Sequence, residues 1–374
     1  MTNASATPPV AEDRVRRLLN GQSRGPAPSA ARAGLAALSL AYSGGLKAYL
    51  WLYRSGIRRQ AKLPRPVISI GNLTVGGAGK TPMTRSLCER LTERGLRLCV
   101  LSRGYRGENE HGVAIVSNTR KVLLNAAQAG DEAYWLAVAL PGMPVLVGKD
   151  RRKSGALACR EFQPDAIVLD DGMQYYQLHR DLDIVLVSCV RPFDNGWTLP
   201  RGLLREPPDH IARAHVVVLT HTDKVSPAAV DELARIVARL APHASQFRAA
   251  YCVAELRPLD RSEPMPAVWL RGRPVATFCA VAQPESFERQ VELAGGSIVS
   301  RTRLADHETP TMGHVEQAVA DALAHGAEAI LVSDKDAVKL PPLGRPLPFY
   351  SLAANLRVER EDELIDLAMR AVRP

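Results

Sequence analysis

Residues Thr74–Thr81 read TVGGAGKT, and this stretch constrains the fold more than any other in the chain. Gly76, Gly77 and Gly79 free the backbone to turn successive N–H groups toward one anion. A helix starting at Lys80 adds the positive end of its dipole. Lys80 supplies a charge that reaches the terminal phosphates of a nucleotide, and the Thr81 hydroxyl is a ligand for Mg²⁺. Thr74, Val75 and Ala78 complete the expected nucleotide-binding loop. The preceding run, Pro66 to Ile70, is apolar and strand-like, and Lys80 to Arg94 repeats apolar residues at helical spacing. Strand, phosphate loop and helix together form one unit of a parallel α/β sheet.

A phosphate loop that handles Mg-nucleotide needs an acid at the end of a neighbouring strand. The stretch AIVLDDGMQ supplies two, with Ala166 to Leu169 as the strand and Asp170 and Asp171 at its end. Adjacent carboxylates are costly to place together unless a cation or hydrogen bonds compensate them. Further apolar runs at Leu98–Leu101, Val145–Val147, Ile184–Val187 and Val216–Leu219 alternate with helical stretches. This alternation predicts an α/β protein with a doubly wound, mostly parallel sheet and its loops gathered at the strand carboxyl ends. At 374 residues the chain has room for two or three domains. With 46% hydrophobic and 23% charged residues it is neither a disordered chain nor a polytopic membrane protein. Its six cysteines lie far apart without a C-x-x-C pair, which fits buried reduced thiols.

Charge is distributed unevenly. Residues 1–66 hold eleven basic groups, from Arg14 to Arg65, against Glu12 and Asp13, whereas the remainder has 37 basic and 37 acidic residues. The neutral remainder argues against nucleic acid as a partner. A segment carrying the whole excess of +9 suits an anionic membrane surface. Residues 34–60 read as an amphipathic helix. Leu35, Leu38, Tyr42, Leu46, Tyr49 and Tyr53 share one face, and Ser39, Ser43, Lys47, Arg54 and Arg58 line another. Such a pattern predicts a helix lying in a bilayer surface. Residues 1–33, rich in Ala, Pro, Ser and Arg, read as a tail without fixed structure.

Seven motifs in order carry a resemblance. They are GNLTVGGAGKTP, SRGY (Ser102–Tyr105), AGDE (Ala129–Glu132), DDGMQ with a following Arg180-Asp181, NGWTLPRGLLRE (Asn195–Glu206), ADHE (Ala305–Glu308) and SDKDAVK (Ser333–Lys339). Together the sequence resembles the tetraacyldisaccharide 4'-kinase family, whose members phosphorylate the lipid A disaccharide precursor. The chain departs from that pattern with Ala133 where the family usually has Pro, Tyr175 where His is common, and a longer N-terminal tail.

The resemblance implies ATP and Mg²⁺ as cofactors and an acylated disaccharide lipid as substrate, at the cytoplasmic face of the bacterial inner membrane. It implies a P-loop domain at 61–248, a two-stranded linker at 249–273 and a smaller α/β domain at 274–374. Catalysis falls to Lys80 and to Asp131 acting with His307. Thr81, Asp170, Asp171 and Glu132 are implied around the metal, and Arg103, Arg151 and Arg205 around phosphates of substrate or nucleotide. The alternative from another class is a membrane-associated regulatory ATPase or GTPase of the partitioning or metallochaperone type. The partitioning branch shares the GGxGKT form but adds a lysine where this chain has Val75.

Overall fold

The computed structural model describes residues 17–19, 21–260, 262–281, 284–305, 308–337, 339–340 and 346–373. The chain divides into two units. One comprises Ala11–Ala250 with Leu356–Pro374, and the other is Tyr251–Asn355.

In the first unit, α1 (Pro26–Arg54) precedes β1 (Val67–Asn72), α2 (Lys80–Glu93), β2 (Leu98–Ser102) and β3 (Ala114–Ser117). Then come α3 (Asp131–Ala139), β4 (Val145–Val147), α4 (Arg151–Phe162), β5 (Ala166–Asp170), β6 (Leu182–Ser188), β7 (Val216–Thr220) and α5 (Pro227–Leu240). β8 (Ser245–Pro258) begins in this unit and continues into the other. The strand order is β8–β7–β6–β1–β5–β2–β4–β3. Every neighbouring pair is parallel except β3 on β4. The apolar runs become strands because both sheet faces are covered: every residue of β1 and β5 is buried. One face packs Leu101, Leu146, Ile167 and Leu169 with Ala158 of α4. Another cluster joins Val185, Val217 and Leu219 to Val230, Leu233 and Val237 of α5. β1 lies between β6 and β5, so the order reverses beside it, and the phosphate loop leaves its carboxyl end at that switch point.

The second unit holds β9 (Met265–Pro266), β10 (Pro274–Cys279), α6 (Pro284–Leu293), β11 (Ser297–Arg303), α7 (Met312–Ala324), β12 (Ala329–Ser333) and most of β13 (Phe349–Val358). Its parallel order is β11–β10–β12–β13. Phe278, Ile330 and Val332 pack on Val315, Ala318 and Ala322 of α7. The expected smaller α/β domain is present, with boundaries that differ from the sequence reading. Within 249–273, β8 pairs antiparallel with β9, Glu255 against Pro266 and Leu256 against Met265. The chain passes between units inside β8, at Ala250–Tyr251, and returns inside β13, at Asn355–Leu356. The C-terminal helix α8 (Glu361–Val372) therefore belongs to the first unit, where Arg90 and Arg94 of α2 pair with Glu361, Asp362 and Asp366. Cys88, Cys99, Cys159, Cys189 and Cys279 are free thiols, as expected.

α1 corrects two expectations. It begins at Pro26, inside the segment read as unstructured, because proline at the first turn loses no hydrogen bond there. Ser39 and Ser43, placed on the polar face, do not point to solvent. Ser39 is buried against Thr198, and Ser43 also bonds that residue. Tyr49 packs edge-on against Tyr176, and Leu50 is buried. The exposed residues include large apolar ones, with Leu38 59% exposed, Leu40 65% and Trp51 58%, beside the exposed Lys47 and Arg54. A helical wheel finds two faces but not which one the protein's own surface takes. Among the described residues no helix is long and apolar enough to cross a membrane.

Candidate active site

β1 ends in Asn72, and the loop it feeds is fastened from several sides. Gly76 and Gly79 take positive φ, 115° and 89°, a region closed to most side chains. Gly79 is the N-cap of α2, so the helix opens directly onto the loop. The Lys80 ammonium donates to Asn72 Oδ1 at 3.1 Å and lies 3.7 Å from Asp171. Asn72 in turn donates to the Thr74 hydroxyl. The Val75 N–H is committed to the Leu203 carbonyl at 2.7 Å, and the Arg205 N–H to that of Leu73 at 2.7 Å. Lys80 is thus held at the loop mouth, where a polyphosphate curled in the loop would meet it.

The paired aspartates have different environments. Asp170 ends β5, is fully buried, and accepts from the Thr84 hydroxyl at 2.8 Å. Burial, then the charge of Glu132, push its pKa up to about 7. Asp171 has φ 57° and turns out of the strand into the left-handed region. Gly172 follows because a Cβ there would lie 2.7 Å from Leu169 Cβ and Ser69 Oγ. Arg205 Nη1 donates to both Asp171 oxygens at 2.8 Å and to Gln174 Oε1 at 3.2 Å. Burial would raise the Asp171 pKa, but Lys80 and Arg205 overcome it and hold it below the usual carboxylate range. A divalent cation fits beside Asp170, a buried carboxylate with one hydrogen-bond donor and two acidic neighbours. It does not fit Asp171 equally, because two cations already engage that group. Among the described residues no three His, Cys, Asp or Glu side chains are placed to hold a metal by themselves. A metal at Asp170 and Thr81 would share its coordination with nucleotide phosphates.

Behind Arg205 lies a network that the sequence analysis missed. Glu206 is completely buried. Arg213 forks onto it with two bonds of 2.8 Å, His210 Nδ1 lies 2.9 Å away, Gln174 donates at 3.0 Å, and the Tyr176 hydroxyl donates as well. Burial pushes the Glu206 pKa up; the His210 hydrogen bond and the Arg213 charge outweigh it and hold it at about 2. Gln174 bridges this network to Asn72 O and Arg205. Glu206 closes the LLRE motif, directly after the Arg205 that the sequence analysis did single out.

The other expected residues are placed as follows. Asp131 and Glu132 open α3, where the helix dipole favours carboxylates, and Ala133 is buried in the same turn. Arg151 is buried at the start of α4 over the Tyr175 ring, with Nη1 donating to Lys149 O and Nε without a hydrogen-bond partner. Burial lowers its pKa. Tyr175, in the place where His was expected, donates to Asp150 at 2.8 Å. Arg103 is exposed and paired with Glu110 at 2.7 Å. His307 lies outside the described residues. In the SDKD stretch the buried Asp336 accepts from Ala280 N at 2.9 Å and Ser333 Oγ at 2.6 Å, tying the ends of β10 and β12 together.

The profile of the tetraacyldisaccharide-1-P 4'-kinase family matches residues 31–372. The chain belongs to this family. A tetraacyldisaccharide 4'-kinase of Geobacter sulfurreducens is 39% identical over 91% of this chain and 94% of its own length. One from Desulfotalea psychrophila is 37% identical over 88% and 94%. A crystal structure described as an "apo" form of the Aquifex aeolicus family member in complex with ATP superimposes with a TM-score of 0.73 at 30% identity. It covers 91% of this chain and 99% of that one. Family membership favours the kinase over the regulatory ATPase alternative.

Removing Arg213 would leave Glu206 charged, buried and without its forked partner. Arg213→Ala is expected to cost about 3–5 kcal/mol. A carboxyl whose pKa falls from ~4.3 unfolded to about 2 folded adds stability above the unfolded value, and loses it as pH falls through the folded one. Urea midpoints from pH 7 to pH 2 should therefore fall more steeply in the wild type than in Glu206→Gln. Parallel acid limbs would show that Glu206 is not the group responsible.

Proposed function

We propose that the chain transfers the γ-phosphoryl group of ATP to the 4'-hydroxyl of a tetraacylated glucosamine disaccharide 1-phosphate, a step of lipid A biosynthesis. The observation that supports it most directly is the convergence of Lys80 and Arg205 on Asp171 at the mouth of the phosphate loop. The hydroxyl oxygen attacks the γ-phosphorus, the bond to the β–γ bridging oxygen breaks, and ADP leaves with that electron pair. The hydroxyl proton passes to the Asp131 carboxylate, with His307 orienting that group or taking the proton onward. Lys80 and the loop amides stabilise the charge that develops on the γ-phosphoryl oxygens. Mg²⁺ bound with the nucleotide would neutralise phosphate charge, and Thr81 and Asp170, with Glu132 nearby, are the residues to hold it. Asp171 keeps Lys80 and Arg205 in place. Arg151, buried with an unpartnered Nε, and the exposed Arg103 are the proposed holders of a substrate or nucleotide phosphate.

We further infer that α1 lies on the cytoplasmic surface of the inner membrane. Its outward face is Leu38, Leu40 and Trp51, and the chain's basic excess flanks it. Apolar burial and attraction to anionic headgroups then act together.

A phosphoryl-transfer assay on the tetraacylated disaccharide phosphate with Mg-ATP tests the reading. Lys80→Ala is expected to lower turnover at least ~10²-fold, comparable to deleting one preorganised donor. Near-normal turnover in the folded variant would remove the phosphate-loop assignment. Asp131→Ala and His307→Ala should each lower kcat far more than they change KM for ATP. The double variant should be little worse than the poorer single one, because residues acting as a unit lose activity non-additively. Fully additive losses across the four corners would mean independent roles. Full-length protein should bind anionic vesicles better than neutral ones, with binding weakened by salt as the Debye length shrinks. Equal partition to both at every salt concentration would discard the electrostatic part.

A further inference from the structure

α1 is bonded to the same backbone that fastens the phosphate loop. Ser39 Oγ lies 2.9 Å from the Thr198 carbonyl, to which it donates, and 2.7 Å from Thr198 Oγ1. Ser43 Oγ lies 2.8 Å from Thr198 Oγ1, and that hydroxyl is 3.2 Å from the Ser39 carbonyl. These groups are sealed from water: Ser39 is 1% exposed and Thr198 4%. Thr198 is bridged to Leu204, and Leu204 to Thr74 at the start of the phosphate loop. On either side of that bridge the Leu203 carbonyl holds the Val75 N–H and the Leu73 carbonyl holds the Arg205 N–H. One more bond arrives from the helix, as the Tyr42 hydroxyl donates to the Arg205 carbonyl at 2.8 Å.

We propose that Thr198 is a positioning residue for the phosphate loop, with the Ser39 and Ser43 hydroxyls holding Thr198 and Thr198 holding the 197–205 turn that carries Arg205 and, through the Leu203 carbonyl, holds the Val75 N–H. The helix that meets the membrane is then a structural part of the nucleotide site as well as an anchor. The chemistry favours this over simple docking. A helix needed only for attachment would pack on the 197–205 turn with apolar side chains. Here it spends a buried serine, Ser39, and a half-buried one, Ser43, on a single threonine, and buried polar groups are tolerated only when mutually satisfied. The proposal rests on the reading of Thr74–Thr81 as the ATP site.

The test uses the full-length protein in anionic vesicles. Mg-ATP affinity is measured by calorimetry, and KM for ATP and for the acylated disaccharide by steady-state kinetics. Thr198→Val and Ser39→Ala are each expected to weaken Mg-ATP binding about fivefold, the worth of one buried hydrogen bond. The double variant should fall no further than the poorer single one, since both cut the same link. Thr198→Ser, which keeps the hydroxyl, should restore affinity to within about twofold, and KM for the disaccharide should stay unchanged throughout. Unaltered Mg-ATP affinity in folded Thr198→Val, with only vesicle binding reduced, would overturn the proposal and leave α1 an anchor. Should Thr198→Val not fold, Ser43→Ala removes a less buried bond to the same hydroxyl. A smaller loss of Mg-ATP affinity there supports the proposal, and no loss overturns it. Lys80→Ala serves as the separate control: full ATP affinity and turnover in that variant would overturn the phosphate-loop reading itself.

Discussion

A carboxylate at a crowded strand end keeps its charge only beside cations, and Asp171 has two. Lys80 comes from the first residue of α2 and Arg205 from a turn 34 positions after Asp171. Their meeting fixes three segments relative to one another: the phosphate loop, the end of β5 and the 197–205 turn. The left-handed backbone at Asp171 makes it possible, because a continued strand would send that side chain elsewhere. Gly172 must follow, since any larger residue would strike Leu169 and Ser69.

The neighbouring aspartate shows how position divides two identical groups. Asp170 remains in the strand, buried, with a single hydroxyl donor and the negative charge of Glu132 close by. Its charged form is disfavoured until a cation arrives. Asp171 is already compensated and remains ionised. Pairs of acids whose surroundings push their pKa values apart can serve different tasks, and here the division separates a buried, uncompensated carboxyl from one that organises two cations. Glu206 extends the same logic one layer back, where Arg213 and His210 keep a wholly buried charge in place and Gln174 transmits that placement to Arg205.

α1 illustrates a different competition. Ser39 and Ser43 satisfy Thr198 instead of water, and Leu38, Leu40 and Trp51 remain more than half exposed. Ser39 and Leu50 turn inward, while Leu38, Leu40 and Trp51 face out beside the exposed Lys47 and Arg54. An exposed face that mixes apolar and basic groups is what an anionic lipid surface would complement.

The strands and the phosphate loop were legible from the sequence, since continuous apolar runs between helical stretches and a glycine-rich turn ending in GKT depend on contacts close along the chain. The same local signals picked out Lys80, Thr81, Asp170 and Asp171. Motif order carried the family, and with it the reaction. Three outcomes depended on the tertiary structure: which aspartate would be neutralised by cations, which face of α1 the protein would take, and where the C-terminal helix would pack. Each of these turns on groups far apart in the chain, such as Arg205 against Asp171, Thr198 against Ser39 and Glu361 against Arg90. Propensity and periodicity describe how a segment folds by itself; burial, charge compensation and hydrogen-bond satisfaction are settled only when distant segments meet.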